Sequence, residues 1–331
     1  MNMNKNMQAV FLDTENGIFI TRKIEIPRPG PKELLVKISA SGVNPLDIKI
    51  AQGKAPHARH SLPAILGMDM AGTVVEVGEG VTRFKTGDEI FGMTGGVGNI
   101  PGTLAEYAIV DSELVALKPK KMSIREAAAL PLLFITAWEG LVDRAKVGKG
   151  NKVLIHGGAG GVGHIAIQLA KAYGAEVFAT TSLSDMATAA IYGAVPINYE
   201  TDSVENYLFK YTNGMGFDIV FDTVGGETID KSFAAVRNYG HVVSCLGRDA
   251  HSLAPLSLKG ATYSGIFTLL PLLTGVGRAH HGNILEEAAR LYDNGQLKVK
   301  VDGRNFGLSE VNKAHQAILD KNNNGKLIIN L

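Results

Sequence analysis

The sequence predicts an α/β protein that combines a doubly wound parallel sheet of the Rossmann type with an irregular antiparallel β-barrel. The chain has 331 residues, more than one hydrophobic core usually organises. Residues 7–120 contain short β-branched runs separated by glycine and proline, which is typical of an antiparallel barrel. From about Ile124 onward, helical and strand-like segments alternate, and such alternation requires parallel strands joined by right-handed crossovers.

Local patterns predict the elements of the first domain. Strands are expected at residues 34–38, 72–77, 89–91 and 104–110. Ser123 is a suitable N-cap for a helix that begins at Ile124 and resumes after Pro131. Because the hydrophobic period changes at this point, the first domain is expected to end near Ser123.

The second part of the chain alternates strands with helices. Strands are predicted at residues 152–156, 176–180, 218–222 and 241–246, and helices at 161–173 and 227–237. The tail contains predicted helices at 284–294 and 309–320 and a short strand at 326–330, and we expect it to return to the first domain. The predicted domains are therefore residues 1–123 together with 269–331, and residues 124–268.

Charge and cysteine content limit the classes of function. The 33 Lys and Arg residues nearly balance 32 Asp and Glu residues, so the chain lacks the basic excess that binds nucleic acid or anionic membranes. Cys245 is the only cysteine, which excludes an intramolecular disulfide and a cysteine-built zinc site. Residues 1–7 lack the apolar core of a secretory signal and are predicted to be a frayed leader. The most apolar stretch, 264–277, is too short to span a membrane. We expect a soluble, cytoplasmic protein with no nucleic-acid partner.

A glycine-rich loop at residues 156–163 carries the strongest functional signal. Gly158, Gly160 and Gly163 satisfy G-x-G-x-x-G directly after an apolar strand and directly before an amphipathic helix. Glycines there allow a tight turn, close approach of backbone N–H groups to a pyrophosphate, and close helix packing. The alternative is a turn that merely needs glycines. The candidate cofactor contacts in this loop are Gly158, Ala159, Gly160, Gly161, Val162 and Gly163.

The end of the next strand favours NADPH over NADH. An NAD-specific site usually places an acidic side chain there, on the ribose 2′-hydroxyl. This chain has Thr181 and Ser182 instead, whose hydroxyls could donate to a 2′-phosphate. Asp185 lies three residues further on and no Arg or Lys stands beside the hydroxyls, which weakens the preference.

Four segments together resemble a known family: residues 41–47, 66–72, 133–138 and 156–171. They resemble the medium-chain dehydrogenase/reductases, and most closely the zinc-free quinone oxidoreductase branch that includes ζ-crystallin-like proteins. The resemblance implies a GroES-like catalytic domain built from both chain ends and a Rossmann domain that binds NADP(H), with the nicotinamide held in a cleft. It also implies a homodimer formed through edge strands, for which residues 261–267 are the candidate.

The resemblance also implies roles for individual residues. Asn44 and Thr136 would lie near the nicotinamide and its ribose, and with Asp47 they are the candidate catalytic residues. The remaining implied cofactor contacts are Tyr199 at the 2′-phosphate, Thr223, Leu246 and Gly247 at the adenine side, Phe267 and Thr268 at the nicotinamide amide, and Lys326. Asn44 could instead be a turn residue before Pro45, Thr136 could satisfy a helix carbonyl, Tyr199 could be an ordinary strand residue, and Asp47 could be structural. Relatives often carry a lysine where this chain reads Asp185-Met186.

Zinc is not expected. Zinc-bearing relatives have a cysteine at the position of Asn44 and a His-Glu pair at the position of Met68-Asp69, and neither Asn nor Met is a usual zinc ligand. His57 and His60 form a loose pair without a third ligand. The expected activity is zinc-free hydride transfer from NADPH to a small electron acceptor, a quinone. The alternatives are reduction of an activated C=C bond in enones or alkenals, and NADPH binding with little turnover.

Overall fold

The computed structural model describes residues 6–331. The first strand begins at Asn6, so the predicted frayed leader is wrong for Asn6 and Met7, and its residues 1–5 lie outside the described residues. The chain divides into two compact units. The first unit comprises the chain up to Leu132 with Leu269–Asp293 and Val299–Leu331, and the second comprises Leu133–Thr268 with Asn294–Lys298.

The elements of residues 6–331 are numbered in chain order. The strands are β1 (Asn6–Leu12), β2 (Ile20–Glu25), β3 (Glu33–Gly42), β4 (Ala64–Ile65), β5 (Asp69–Val77), β6 (Glu89–Met93), β7 (Tyr107–Asp111), β8 (Val115–Leu117), β9 (Lys152–His156), β10 (Glu176–Thr181), β11 (Val195–Asn198), β12 (Phe217–Asp222), β13 (Val236–Ser244), β14 (Thr262–Gly265), β15 (Phe306–Gly307) and β16 (Ile328–Asn330). The α-helices are α1 (Pro45–Ala51), α2 (Ile124–Ala129), α3 (Pro131–Trp138), α4 (Gly161–Ala172), α5 (Met186–Ile191), α6 (Val204–Thr212), α7 (Glu227–Ala235), α8 (Ala254–Lys259), α9 (Leu270–Thr274), α10 (Arg278–Asp293) and α11 (Val311–Leu319). None of them is long and apolar enough to cross a membrane.

The first unit contains two sheets. A three-stranded sheet has the order β2-β1-β4, and a larger one has the order β15-β16-β3-β5-β6-β8, with β7 also paired to β3. Alternate residues of β3, Leu34, Val36 and Ile38, are buried in one core with Met70 and Ile90, as the period of a strand requires. Strand β16 pairs antiparallel to β3, with Ile328 opposite Gly42. The last strand of the chain is thereby fixed beside the end of β3.

Helix α2 belongs to the first unit, although the sequence assigned it to the second domain. Ser123 is its N-cap as predicted, and the Ser123 hydroxyl accepts a hydrogen bond from the Glu126 N–H. Ala127, Ala128 and Ala129 are fully buried, and the helix packs on β3 and β5. The units therefore divide after Leu132 and not at Ser123, because a change of hydrophobic period shows where a helix begins and not which core it joins.

The second unit is built on a six-stranded sheet with the order β11-β10-β9-β12-β13-β14, in which every neighbouring pair is parallel. This is the doubly wound Rossmann order, so that prediction is confirmed. Its core contains Leu154, Phe178, Phe217, Val220 and Phe233. The strand order reverses at β9, and ligands of such sheets bind at the carboxyl ends of the strands flanking that point.

Several predicted boundaries are wrong by a few residues. Residues 104–106 precede β7 instead of forming part of it. Helix α7 ends at Ala235, and β13 runs from Val236 to Ser244, so the predicted helix 227–237 is too long and the predicted strand 241–246 starts late. The tail also contains a helix that was not predicted, α9, and α10 begins at Arg278, six residues before the predicted start at residue 284.

Candidate functional site

The glycine loop of the second unit joins β9 to α4 and leaves the first turn of the helix uncapped. Gly160 is the N-cap and has no side chain to accept a hydrogen bond. His164 donates its N–H to the Gly160 carbonyl at 3.1 Å and is the first intrahelical donor, so the N–H groups of Gly161, Val162 and Gly163 before it have no intrahelical acceptor. Gly160 and Gly161 are exposed. The loop thus presents backbone donors and the positive end of a helix dipole to an anion.

Two glycines of the motif are required by packing. A Cβ on Gly163 would lie 2.1 Å from the carbonyl oxygen of Gly157, and one on Gly158 would lie 2.5 Å from Cβ of Ala179. A Cβ on Gly160 would meet only the Gly157 oxygen, at 3.2 Å. Gly158 and Gly163 therefore allow strand and helix to pack closely, whereas Gly160 keeps the open side of the loop free for a ligand.

A buried polar network holds the loop from below. The imidazole Nδ1 of His156 lies 2.9 Å from the Thr180 hydroxyl, and the Thr223 hydroxyl donates to the His156 carbonyl at 2.6 Å. Burial lowers the pKa of His156 to about 4, so its ring is neutral at neutral pH. The carboxylate of Asp222 accepts the N–H groups of Val224 and Gly225 at 3.0 Å. The hydroxyl of Thr223, a predicted adenine contact, thus donates its proton to a backbone carbonyl of the protein.

The end of β10 combines hydroxyl groups with acids. The buried hydroxyl of Thr181 has no hydrogen-bond partner within residues 6–331. The Ser182 hydroxyl donates to Asp185 Oδ2 at 3.0 Å, and the Leu183 N–H donates to Glu200 Oε2 at 3.3 Å. Tyr199 donates its N–H to the Thr181 carbonyl at 3.1 Å, and 58% of Tyr199 is exposed. The structure brings the predicted 2′-phosphate contacts together, and it places the carboxylates of Asp185 and Glu200 beside them.

The other predicted contacts of the second unit lie on separate elements. Thr136 is buried in α3, and Thr268 is buried after β14, whereas 42% of Phe267 is exposed. The Leu246 N–H donates to the Ser244 hydroxyl at 3.1 Å. A Cβ on Gly247 would lie 2.1 Å from the hydroxyl of Tyr263, which is the far end of a partly exposed side chain. No contact among the described residues assigns these positions to adenine or nicotinamide, and those roles stay predictions.

In the first unit, Asn44 is the N-cap of α1 and lies at the centre of a buried cluster. Its backbone N–H donates to Asp47 Oδ2 at 2.8 Å, and its side-chain Nδ2 donates to Asp69 Oδ2 at 2.9 Å. The Lys326 ammonium donates to Asn44 Oδ1 and lies 3.3 Å from Asp69 Oδ2. We call Asn44, Asp47, Asp69 and Lys326 the Asn44 cluster. Asn44 is thus the N-cap of α1 and also part of a charged network.

Backbone pairing brings the cluster together from distant parts of the chain. Asp69 opens β5 opposite Gly42, and the Val43 N–H donates to the Leu327 carbonyl at 2.9 Å. A Cβ on Gly42 would lie 2.3 Å from the Ala128 carbonyl oxygen, so glycine lets α2 cover this end of β3. The second oxygen of Asp69 accepts the Leu132 N–H at 2.9 Å.

The cluster contains two carboxyl groups and one ammonium group, all removed from water. Asp47 and Asp69 are 1% and 0% exposed. Burial raises the pKa of Asp47 to about 7, against the lowering effect of the Asn44 N–H. Burial also raises the pKa of Asp69, and the charge of Lys326 opposes that rise. Asp47 Oδ1 is buried without a hydrogen-bond partner among residues 6–331. The cluster is therefore close to neutral when Asp47 holds a proton.

The donor set does not fit zinc. The oxygens of Asn44 and Asp69 already face the ammonium of Lys326, and Met68 is fully buried beside them in sequence. Residues 6–331 contain no group of three His, Cys, Asp or Glu side chains placed to hold a metal ion. Nδ1 of His60 accepts the Asn99 N–H at 3.1 Å, so one nitrogen of the loose histidine pair is already used. The positive charge beside Asn44 is the ammonium group of Lys326 and not a metal ion.

Comparison with known proteins settles the family. Residues 30–120 match the alcohol dehydrogenase GroES-like domain, and residues 192–329 match the zinc-binding dehydrogenase family. A chloroplastic NADPH-dependent alkenal/one oxidoreductase from Arabidopsis thaliana is 32% identical over 98% of this chain and 80% of its own. The chain belongs to the medium-chain dehydrogenase/reductase superfamily. This medium-chain protein is therefore an oxidoreductase, and the predicted family and fold class are confirmed.

Further relatives of this medium-chain oxidoreductase differ in their named substrates. A 2-methylene-furan-3-one reductase from Solanum lycopersicum is 41% identical over 68% of this chain and 57% of its own. An alcohol dehydrogenase superfamily protein from Novosphingobium aromaticivorans has a TM-score of 0.96 and 52% identity, covering 98% of this chain and 99% of its own. A quinone oxidoreductase from Coxiella burnetii has a TM-score of 0.83 and 29% identity, covering 99% and 100%.

Two polar residues of this medium-chain oxidoreductase escaped the sequence-based site list. Asp69 was discussed only as a missing zinc ligand, and Asp222 only as the end of a strand. Each is a carboxylate within an apolar run, in Gly-Met-Asp-Met-Ala and in Ile-Val-Phe-Asp, and each is fully buried. A buried charge needs partners, so the isolated acid in an apolar run was the available signal.

Proposed function

We propose that the chain is an NADPH-dependent reductase that transfers a hydride, without zinc, to a conjugated carbonyl compound such as an enone or alkenal. The observation that carries the proposal is the uncapped glycine loop at Gly160, whose open N–H groups suit a pyrophosphate. When bound, NADPH supplies the hydride. The Arabidopsis and Solanum relatives, both named for such acceptors or their reduction, support the choice of acceptor.

The protein's own contribution is to bind and to orient. The loop after β9 fits the pyrophosphate, and Thr181, Ser182 and Tyr199 form the candidate pocket for the 2′-phosphate. Asn44 is proposed to contact the nicotinamide ribose, and its amide orientation is fixed because Lys326 faces Oδ1 and Asp69 faces Nδ2. Each of these assignments rests on the family resemblance together with these hydrogen bonds.

Quinone reduction is the second candidate. Quinone oxidoreductases from Coxiella burnetii and Pseudomonas syringae share the fold with TM-scores of 0.83 and 0.84. A quinone accepts a hydride in the same way, because the electron pair that arrives spreads onto an oxygen. The third candidate is a protein that binds NADPH with little turnover. It requires no catalytic residue in the first unit.

Steady-state oxidation of NADPH with matched acceptors tests the proposal. We expect turnover with short 2-alkenals and enones at rates above those with 1,4-benzoquinone and 9,10-phenanthrenequinone, and none with the saturated aldehydes. Faster turnover with the quinones would replace the first candidate by the second. Tight NADPH binding without oxidation by any acceptor would support the third candidate and contradict both others. Metal analysis of the active protein checks that turnover needs no zinc.

A further inference from the structure

The hydride transfer proposed above leaves a negative charge on the acceptor, and that charge must take up a proton. In the first unit, the Lys326 ammonium is a group that carries protons and is almost completely buried. Its side chain is 6% exposed, and its ammonium faces Asn44 Oδ1 and Asp69 Oδ2. An ammonium has three protons, so these two acceptors leave one proton without a hydrogen-bond partner among the described residues.

Lys326 is also the least buried member of the Asn44 cluster. Asn44, Asp47 and Asp69 are 0%, 1% and 0% exposed, whereas Lys326 is 9% exposed. Any exchange of protons between the cluster and its surroundings therefore passes most directly through this side chain. Lysine is suited to such a role because its ammonium loses a proton far more readily than an arginine guanidinium does.

The two carboxyl groups supply the electrostatic setting. Asp69 contacts Lys326 directly, and Asp47 adds a second acid to the same buried volume, with its Oδ1 unpaired among the described residues. A lone buried ammonium would be costly, and the adjacent carboxylate offsets that cost. Since Asp47 can hold a proton, the cluster can lose the Lys326 proton and regain one from solvent without leaving two unpaired charges.

We infer that Lys326 is a catalytic residue that donates the proton of the reaction, an inference that rests on the proposed function. The hydride adds to the acceptor, the electron pair moves onto the carbonyl oxygen, an N–H bond of Lys326 breaks and an O–H bond forms. Lys326 is left as a neutral amine and regains its proton from solvent. For a conjugated carbonyl the product of this step is an enol, which loses its O–H proton to solvent and gains a C–H proton from solvent to become the saturated carbonyl. The sum is NADPH, acceptor and one proton giving NADP⁺ and the reduced acceptor.

Replacing Lys326 tests the inference, with Lys118 as a matched control. Lys118 is another buried lysine of the first unit, 5% exposed in its side chain, and it donates to the carbonyls of Pro119 and Met122. We expect Lys326→Ala to lower kcat by roughly 100-fold or more, the usual range for a general acid, with the Kd of NADPH within about twofold of the parent. Lys118→Ala should keep kcat within about twofold.

Chemical rescue separates proton donation from charge and from packing. Methylammonium should restore kcat of Lys326→Ala in proportion to its concentration, whereas tetramethylammonium, a cation without a transferable proton, should not. A weakened Kd for NADPH with unchanged kcat would overturn the inference and make Lys326 a cofactor contact. Equal rescue by both cations, or no loss of kcat, would also overturn it. Absence of turnover in the parent protein would instead contradict the proposed function, so the two failures are distinguishable.

Discussion

Ser182 donates its hydroxyl hydrogen bond to Asp185, Oγ to Oδ2 at 3.0 Å, at the end of β10 where a 2′-phosphate is proposed to bind. A carboxylate at this distance from a phosphate contact repels the phosphate and competes for its donor. Thr181 and Ser182 carry no acidic side chain themselves, but the fold places the Asp185 carboxylate beside Ser182. The proposed 2′-phosphate pocket therefore contains an acid.

The first prediction concerns cofactor preference. Asp185→Asn keeps an acceptor for Ser182 and removes the charge, so we expect the KM for NADPH to fall by about threefold to fivefold, the range of a partly exposed charge. The KM for NADH should not change. Met186→Lys, at the start of α5, adds a cation and should extend the gain. Glu205→Gln, an exposed acid on α6, is the control. Unchanged ratios of KM in both variants would show that the 2′-phosphate binds elsewhere.

The second prediction separates the packing glycines from the ligand glycine. Gly160→Ala places its Cβ 3.2 Å from the Gly157 oxygen and otherwise in open space, so the Tm should change little. The new methyl group would lie on the open side of the loop, where the pyrophosphate is proposed to bind, and the Kd for NADPH should rise by about tenfold or more. Gly163→Ala should lower the Tm strongly, because its Cβ would meet backbone at 2.1 Å.

Gly148→Ala is the matched control for the glycine variants, since its Cβ would meet only Asn151 Oδ1, at 4.0 Å, in the same unit. Fluorescence titration gives the Kd and thermal melting gives the Tm. If Gly160→Ala binds NADPH as tightly as Gly148→Ala does, the loop does not hold the pyrophosphate.

The third prediction concerns stability and pH. The pKa of Asp47 is about 7 in the folded protein, above its ordinary value of 3.8, so the folded state binds the proton more tightly than the unfolded state. This group's contribution is therefore fully present below about pH 4 and is lost as pH rises toward 7. Asp47→Asn removes the charge while an amide oxygen can still accept the Asn44 N–H.

Urea unfolding at pH 5 and pH 8 measures this effect. The parent should lose more stability than Asp47→Asn between the two values, by an amount on the order of 1–3 kcal/mol. His315 and His156, whose pKa values burial lowers to about 4, act in the opposite direction and are present in both proteins, so they cancel in the difference. Parallel pH dependence in the two proteins would show that Asp47 titrates normally.

Whether a feature could be predicted from the sequence depends on how far apart in the chain its interacting residues lie. The β9 to α4 turn was predictable because Gly158, Gly160 and Gly163 are local and each serves the same short segment. The contact between Asp69 and Lys326 joins residues 257 positions apart, and only the pairing of β16 with β3 creates it. Lys326 was therefore expected from family resemblance, as a cofactor contact, and its carboxylate partner was not.

Predicted helix and strand boundaries were wrong where the local sequence pattern and the tertiary packing favour different structures. Residues 236–237 continue the helical pattern of α7, but Val236 is paired with Phe217 in the parallel sheet. Gly240 then allows close approach to the backbone of Asp218, because a Cβ there would lie 3.0 Å from its carbonyl oxygen. Sheet pairing determines that this segment is a strand, and the sequence of the segment alone does not indicate that pairing.

The last prediction concerns the homodimer implied by family resemblance. Strand β14 is the edge of the six-stranded sheet, and the Ile266 N–H donates inward to the Ser244 carbonyl at 2.9 Å. Because strand residues alternate, the N–H groups of Tyr263 and Gly265 face outward, where a second copy could pair with them. Light scattering should give a mass near twice the 35.2 kDa of one chain for the parent. Gly265→Pro removes an outward donor in open space and should shift the mass toward one chain at unchanged Tm. A parent of single-chain mass, or a variant that stays dimeric, would remove β14 as the interface.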